Sequence, residues 1–138
     1  ENPLKKPGRL EVLGTKVDMS RVKIPVYVVA GITDHITPWE ACYETRSILK
    51  GPVTFVLSSS GHIQSIVNPP TNPKAKYFLN QDLSLPAKRW LEGASAHDGS
   101  WWEHWRGWLA GQAGGERAAP EALGSAVHPP GDPAPGRY

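Results

Sequence analysis

Two residues able to move protons near neutral pH stand 28 positions apart: Asp34 in "GITDHITPW" and His62 in "SSSGHIQS", each just beyond an apolar run. An imidazole with a solution pKa of about 6.5 accepts a proton at pH 7. A carboxylate bonded to it fixes its tautomer and stabilises the imidazolium that forms. Asp followed by His is thus two thirds of a nucleophile, acid and histidine set. Two plainer readings stand beside it: a turn Asp often caps a helix start, and a Gly-His pair often lies in a surface loop. His35, directly after Asp34, either supports the carboxylate from behind or is an exposed turn residue.

The nucleophile is what the pattern lacks. Neither G-x-S-x-G nor G-x-C-x-G occurs in the chain. Cys42 is the only cysteine, and "WEACYET" puts it on the apolar face of a helix, where a small buried core residue is the expectation. Ser58, Ser59 and Ser60 read as strand-end loop hydroxyls. His97, His104 and His128 have no metal-ligand spacing, so no metal and no cofactor is expected.

The elements that must position Asp34 and His62 can be read around them. "PVYVVA", residues 25–30, and "PVTFVLS", residues 52–58, are short runs rich in β-branched and aromatic side chains, as in strands buried on both faces. Between them "TPWEACYETRSILKG" predicts a helix with Thr37 as N-cap, Pro38 at its first position, Glu40 completing a capping box and Gly51 as its stop. On this reading the helix start does not need Asp34. Strand, helix, strand is a βαβ unit, whose crossover makes the strands parallel and puts both following turns on one carboxyl-terminal edge. Asp34 and His62 are therefore expected to be neighbours at the edge where open α/β sheets place ligands.

A short helix is expected from His62 to Val67, ended by "NPP". The first 23 residues read as loop with a short pairing segment at "LEVLG", and residues 71–99 as mostly loop with a helical turn at "PAKRWLEGA". "SWWEHWRGWLAG" predicts a second capped helix, Ser100 with Glu103, whose Trp101, Trp105 and Trp108 form a stripe widened by Trp102 and Leu109. Such a stripe is expected to be buried. The chain divides into residues 1–110, a folded part, and 111–138, a Gly, Pro and Ala-rich tail.

Composition excludes several classes of function. With 138 residues the chain holds at most one domain. Its net charge of +2 is mild, and the basic residues near its start are not interleaved with aromatics, which argues against nucleic acid. One cysteine precludes an internal disulfide, and the run "VYVVAGI" is far short of the roughly 20 residues a bilayer-spanning helix needs. The only methionine is Met19, so a fragment of a longer chain is expected.

Four ordered segments, "AGITDHITPW", "SSSGHIQSIVNPP", "SWWEHWRGWL" and the ending "APEALGS...PAPGRY", resemble the carboxyl-terminal part of the polyhydroxyalkanoate synthases. These acyltransferases polymerise (R)-3-hydroxyacyl-CoA into storage polyester. The resemblance covers about residues 2–138 and is closer to the single-subunit classes, I or II. It implies the carboxyl-terminal part of an α/β-hydrolase fold, a parallel βαβ unit plus terminal helices and an irregular tail. It also implies a Cys-His-Asp set in which Asp34 matches the acid of D-H-x-x-P-W and His62 the base of S-G-H. The family's nucleophile, in a G-x-C-x-G elbow, would lie upstream of Glu1, leaving this piece inactive alone. The implied partners are the acyl-CoA substrate, the growing polyester, the polyester granule surface in the cytoplasm, and a second copy of the full-length parent. Two other readings remain open: an esterase or other acyltransferase fragment with an upstream serine elbow, and a non-catalytic granule-binding module using the tryptophan helix.

Overall fold

A computed structural model describes residues 2–137. The two β-branched runs form β3, Val26–Gly31, and β4, Val53–Ser58, paired in parallel from Val26 opposite Val53 to Gly31 opposite Ser58. Before them, β1, Leu10–Val12, and β2, Thr15–Val17, make a small antiparallel hairpin turned by Leu13 and Gly14, both at positive φ. The expected pairing segment at residues 10–14 is one arm of this hairpin and its turn.

The crossover from β3 to β4 is helical, as expected, but broken. It consists of α1, Trp39–Tyr43, and α2, Thr45–Ile48, separated at Glu44, where Ser47 N–H bonds the Glu44 carbonyl at 2.9 Å. The capping box is corrected too. Pro38, not Thr37, is the N-cap, and it has no side-chain acceptor to offer. Gly51 is not a left-handed stop; it is needed for space, since a Cβ there would lie 2.2 Å from the Ile24 carbonyl oxygen.

Residues 71–99, read as mostly loop, contain three elements: β5, Lys76–Leu79, the expected helical piece as α3, Ala87–Glu92, and β6, Ser95–Asp98. β5 pairs antiparallel with β4 and β6 antiparallel with β5, giving a four-stranded mixed sheet ordered β3-β4-β5-β6. These strands are four residues long, and "SAHD" has no apolar alternation to betray it. The architecture is therefore mixed α/β.

One face of the sheet holds an aromatic core. Ala30, Phe55 and Leu57 point to Trp39 and Tyr43 of α1 and Trp90 of α3. Phe55 meets Trp90 edge-on at 5.1 Å between centroids and Tyr43 edge-on at 5.0 Å, separations typical of favourable aromatic pairs. Trp90 is completely buried, and its indole N–H is satisfied by the Asn80 carbonyl while Asn80 Nδ2 returns a bond to the Trp90 carbonyl. Because side chains alternate along a strand, Tyr27 faces the opposite side, where it contacts Trp101 and Trp108 of α4, Trp101–Ala113.

Helix α4 has the expected Ser100 N-cap, accepting from Trp102 N–H at 3.1 Å. The buried stripe is corrected: Trp101 is buried, Trp102 and Trp108 are half-buried, and Trp105 and Leu109 are exposed. The helix packs along one face, through Trp101, His104 and Trp108, and leaves the rest of its surface exposed. Gly114, at φ 79°, ends it, and residues 115–137 form no helix or strand and are exposed. No described helix is long and apolar enough to cross a membrane.

Candidate active site

The parallel register fixes the geometry of the site. Gly31 and Ser58 are opposite one another at the carboxyl ends of β3 and β4, with Asp34 three residues beyond the first and His62 four beyond the second. The two turns approach closely: Ile32 N–H bonds the Ser58 carbonyl at 2.9 Å and Thr33 N–H the Ser60 carbonyl at 3.4 Å. Gly31 permits this approach, because a Cβ there would sit 2.5 Å from the Ser60 carbonyl oxygen and 3.0 Å from the Ser65 side chain. The side chains meet across the gap. His62 Nδ1 lies 2.8 Å from Asp34 Oδ2.

Every lone pair direction of Asp34 is used. Oδ1 accepts the backbone N–H groups of Ile36 and Thr37, both at 2.9 Å, and Oδ2 accepts the Thr37 hydroxyl at 2.7 Å besides facing His62. Asp34 therefore closes a tight turn over Ile36 and Thr37 ahead of α1, whose own first N–H groups it does not reach. Thr37 donates to the carboxylate instead of capping the helix. The carboxylate side chain is only 5 % exposed. Desolvation pushes its pKa up, but the Thr37 N–H, the Thr37 hydroxyl, His62 and the Ile36 N–H together outweigh this and hold it well below the usual carboxylate range. The carboxylate is held ionised and can only accept, so a neutral His62 bonded to it carries its proton on Nδ1 and presents Nε2 as the acceptor.

His62 is accessible, its side chain 44 % exposed. The expected helix after it is a hydrogen-bonded turn, with Ser65 N–H to the Gly61 carbonyl at 2.8 Å and Val67 N–H to the Ile63 carbonyl at 2.9 Å. The turn is inverted in polarity. Ser65 and Asn68 are buried, whereas Ile63, Ile66 and Val67 are exposed. A reaching imidazole is thereby set on a turn with an apolar outer surface.

The remaining candidates fall outside this pair. His35 is exposed and makes no hydrogen bond among the described residues. Cys42 packs against the aromatic core, its thiol 3.9 Å from the Thr37 carbonyl. Burial first, and then the Asp34 charge, push that thiol's pKa up, the reverse of nucleophile activation. Ser58 is wholly buried, and Ser59 bonds Lys76 N–H. Among the described residues no three His, Cys, Asp or Glu side chains gather as a metal site would require. A cavity of 680 Å³ lined by Thr54, Asn80, His97, His104 and Trp108 among others lies toward the opposite end of β4 and includes neither Asp34 nor His62.

Three hydrogen bonds to the His62 turn were not legible in the sequence. Trp101 Nε1 donates to the Ser65 carbonyl at 2.6 Å, Trp102 Nε1 to the Ile66 carbonyl at 3.0 Å, and the Ser100 hydroxyl to the Asn68 carbonyl. The adjacent Trp pair was visible as apolar bulk; its indole donors, 36 residues from their acceptors, left no local signal.

Comparison with known proteins agrees with the sequence resemblance. The chain is 47 % identical over 137 residues to poly(3-hydroxyalkanoate) polymerase 1 of Ectopseudomonas oleovorans and 48 % identical over 137 residues to polymerase 2 of the same organism. It is 45 % identical over 138 residues to the poly(3-hydroxyalkanoate) polymerase subunit PhaC of Cupriavidus necator. These alignments cover 99–100 % of the chain, which itself spans only about a quarter of the length of each relative, 24 %, 24 % and 23 %. No family model matches.

Proposed function

We infer that this chain is a segment of a poly(3-hydroxyalkanoate) polymerase and supplies the acid and base of its acyl-transfer site. The observation that carries the reading is the Asp34–His62 pair at 2.8 Å on adjacent parallel strand ends. The similarity to three polymerases over essentially the whole chain supports it. The parent fold on this reading is of the α/β-hydrolase type, extended from β3 by the part of the protein not included in these 138 residues.

The chemistry follows from the free Nε2. In the intact protein a cysteine thiol from outside this segment gives its proton to His62 Nε2, and the thiolate attacks the thioester carbonyl of a (R)-3-hydroxyacyl-CoA. The carbon–sulfur bond to CoA breaks, a new acyl–cysteine thioester forms, and the imidazolium returns its proton to the departing CoA thiolate. His62 then takes the proton of a 3-hydroxyl that attacks an acyl–cysteine, lengthening the ester chain and freeing the thiol. Asp34 is suited to orient His62 and stabilise its cation. A carboxylate held so far below its usual range is a weak base, so direct deprotonation of the hydroxyl by Asp34 is disfavoured. The apolar outer surface formed by Ile63, Ile66 and Val67 suits an acyl chain beside the imidazole. Work at a polyester granule surface in the cytoplasm, as a homodimer, belongs to the same proposal.

The test is direct. The intact protein carrying this chain, supplied with (R)-3-hydroxybutyryl-CoA or a longer homologue, is expected to release free CoA and accumulate polyester. CoA release without polymer would instead indicate a thioesterase. Neither product with any chain length would refute the reading.

A further inference from the structure

Nothing about α4 in the sequence ties it to the catalytic pair, yet its first turn holds the backbone that carries His62. The turn from Gly61 to Asn68 is not a helix, so its carbonyls cannot all be satisfied locally. Ser65 N–H, Ile66 N–H and Val67 N–H close on Gly61 and Ile63, and the Ser65 hydroxyl reaches the His62 carbonyl at 3.1 Å. The carbonyls of Ser65 and Asn68 point instead at α4. They are taken by the Trp101 indole at 2.6 Å and the Ser100 hydroxyl, and the Trp102 indole takes Ile66 at 3.0 Å. Three consecutive residues thus grip three carbonyls within six residues of His62.

We propose that Ser100, Trp101 and Trp102 are positioning residues that set the orientation of His62 toward Asp34. The proposal rests on the acyl-transfer reading only for its functional consequence; the positioning itself concerns the 138-residue chain. The grip is rigid for two reasons. Ser100, Ser65 and Asn68 are buried along with the Trp101 ring, so water cannot replace the Ser100 and Trp101 bonds at low cost, while the Trp102 bond closes the exposed rim. The same face of the helix is also fixed to the sheet: Tyr27 Oη lies 2.7 Å from His104 Nδ1, and the Tyr27 ring contacts Trp101 and Trp108. Tyr27 is the second residue of β3, the strand that leads to Asp34. One strand thereby locates the acid directly and the base through α4.

The experiment uses the intact protein carrying this chain, selectively labelled with ¹⁵N, and reads the His62 ring nitrogens and the low-field Nδ1 proton by NMR. Sheet amides in β3 and β4 report folding. Trp101→Phe and Trp102→Phe remove one indole donor each while keeping an aromatic ring; Leu109→Ala, at an exposed side chain outside the grip, is the control. The expected result is a native sheet in all three, with the Nδ1–H signal broadened or lost and exchange of the Ser65 to Val67 amides accelerated at least tenfold only in the two grip variants. In the intact protein the same variants should lower kcat several-fold with KM little changed. Unfolding of Trp101→Phe would leave the decision to Trp102→Phe, whose ring is only half-buried. A native sheet with an unchanged His62 signal overturns the proposal, and so does loss of sheet and His62 signals together in both variants. Failure of polymerisation alone would count against the acyl-transfer reading and leave the NMR result standing.

Discussion

At the scale of single residues, Asp34 combines two tasks that the sequence presented as alternatives. It closes the turn over Ile36 and Thr37 that leads to α1, and it holds His62. The two tasks separate by mutation. Asparagine closes such a turn about as well as aspartate, so Asp34→Asn should keep the turn and lose only what the charge contributes, leaving its urea midpoint between those of the native chain and Asp34→Ala. Asp34→Ala should lose both, and equilibrium urea unfolding distinguishes the two. The pH dependence has a definite sign. A carboxyl whose pKa is lower folded than unfolded binds fewer protons in the folded state, so it contributes stability above about pH 4. That contribution is lost as pH falls further, through the folded-state value. The difference in stability between native and Asp34→Asn chains should therefore be constant from about pH 5 to 8 and shrink below about pH 4, as followed by urea titrations. Asp34 and His62 were legible because they are chemically distinctive residues placed just past two strand runs. The turn that Asp34 closes was hidden because Thr37 and Glu40 offered a regular capping box that the chain does not use.

At the scale of elements, the tight contact of two strand ends determines whether the pair can form. Gly31→Ala would drive a Cβ to 2.5 Å from the Ser60 carbonyl. Overpacking of this kind costs about 1–3 kcal/mol, and here it should also displace the His62 turn. Loss of stability in denaturant with an unchanged His62–Asp34 NMR signature would show that the turn does not depend on this approach. The βαβ unit was readable because β-branched runs of six residues with a helical stretch between them have few other solutions. β5 and β6 were not: each is four residues long, and β6 is largely polar and lies at the sheet edge, so side-chain pattern carries little information. The role of α3 was equally hidden, since one tryptophan in "PAKRWLEGA" does not announce that it will fill the centre of the core. Trp90→Ala should cost about 3–5 kcal/mol, measured by urea or thermal unfolding; a much smaller loss would mean the aromatic cluster is not the main source of cohesion.

At the scale of the whole molecule, the described residues form a sheet whose β3 side has no strand beside it, and β3 is among the most apolar segments of the chain. An unpaired apolar edge favours pairing with another chain. The isolated 138-residue chain is therefore expected to self-associate with rising concentration in light scattering, and a monomer that persists at millimolar concentration would contradict this. The same edge is where the proposed parent would add its own strands and bring its nucleophile to the open Nε2 of His62. What the sequence conveyed well was the chemistry of one edge; what it could not convey was how distant segments close around it, because indole and carbonyl partners 36 residues apart share no pattern. The central claim, that Asp34 and His62 serve a thiol other than Cys42, is tested most directly by CoA release from (R)-3-hydroxyacyl-CoA in the intact protein, comparing His62→Ala, Asp34→Asn and Cys42→Ala. Removal of a general base or its support is expected to slow release roughly 10²–10⁴-fold in the first two, with Cys42→Ala close to the native rate; native turnover in His62→Ala, or a dead Cys42→Ala that is still folded, would contradict the account.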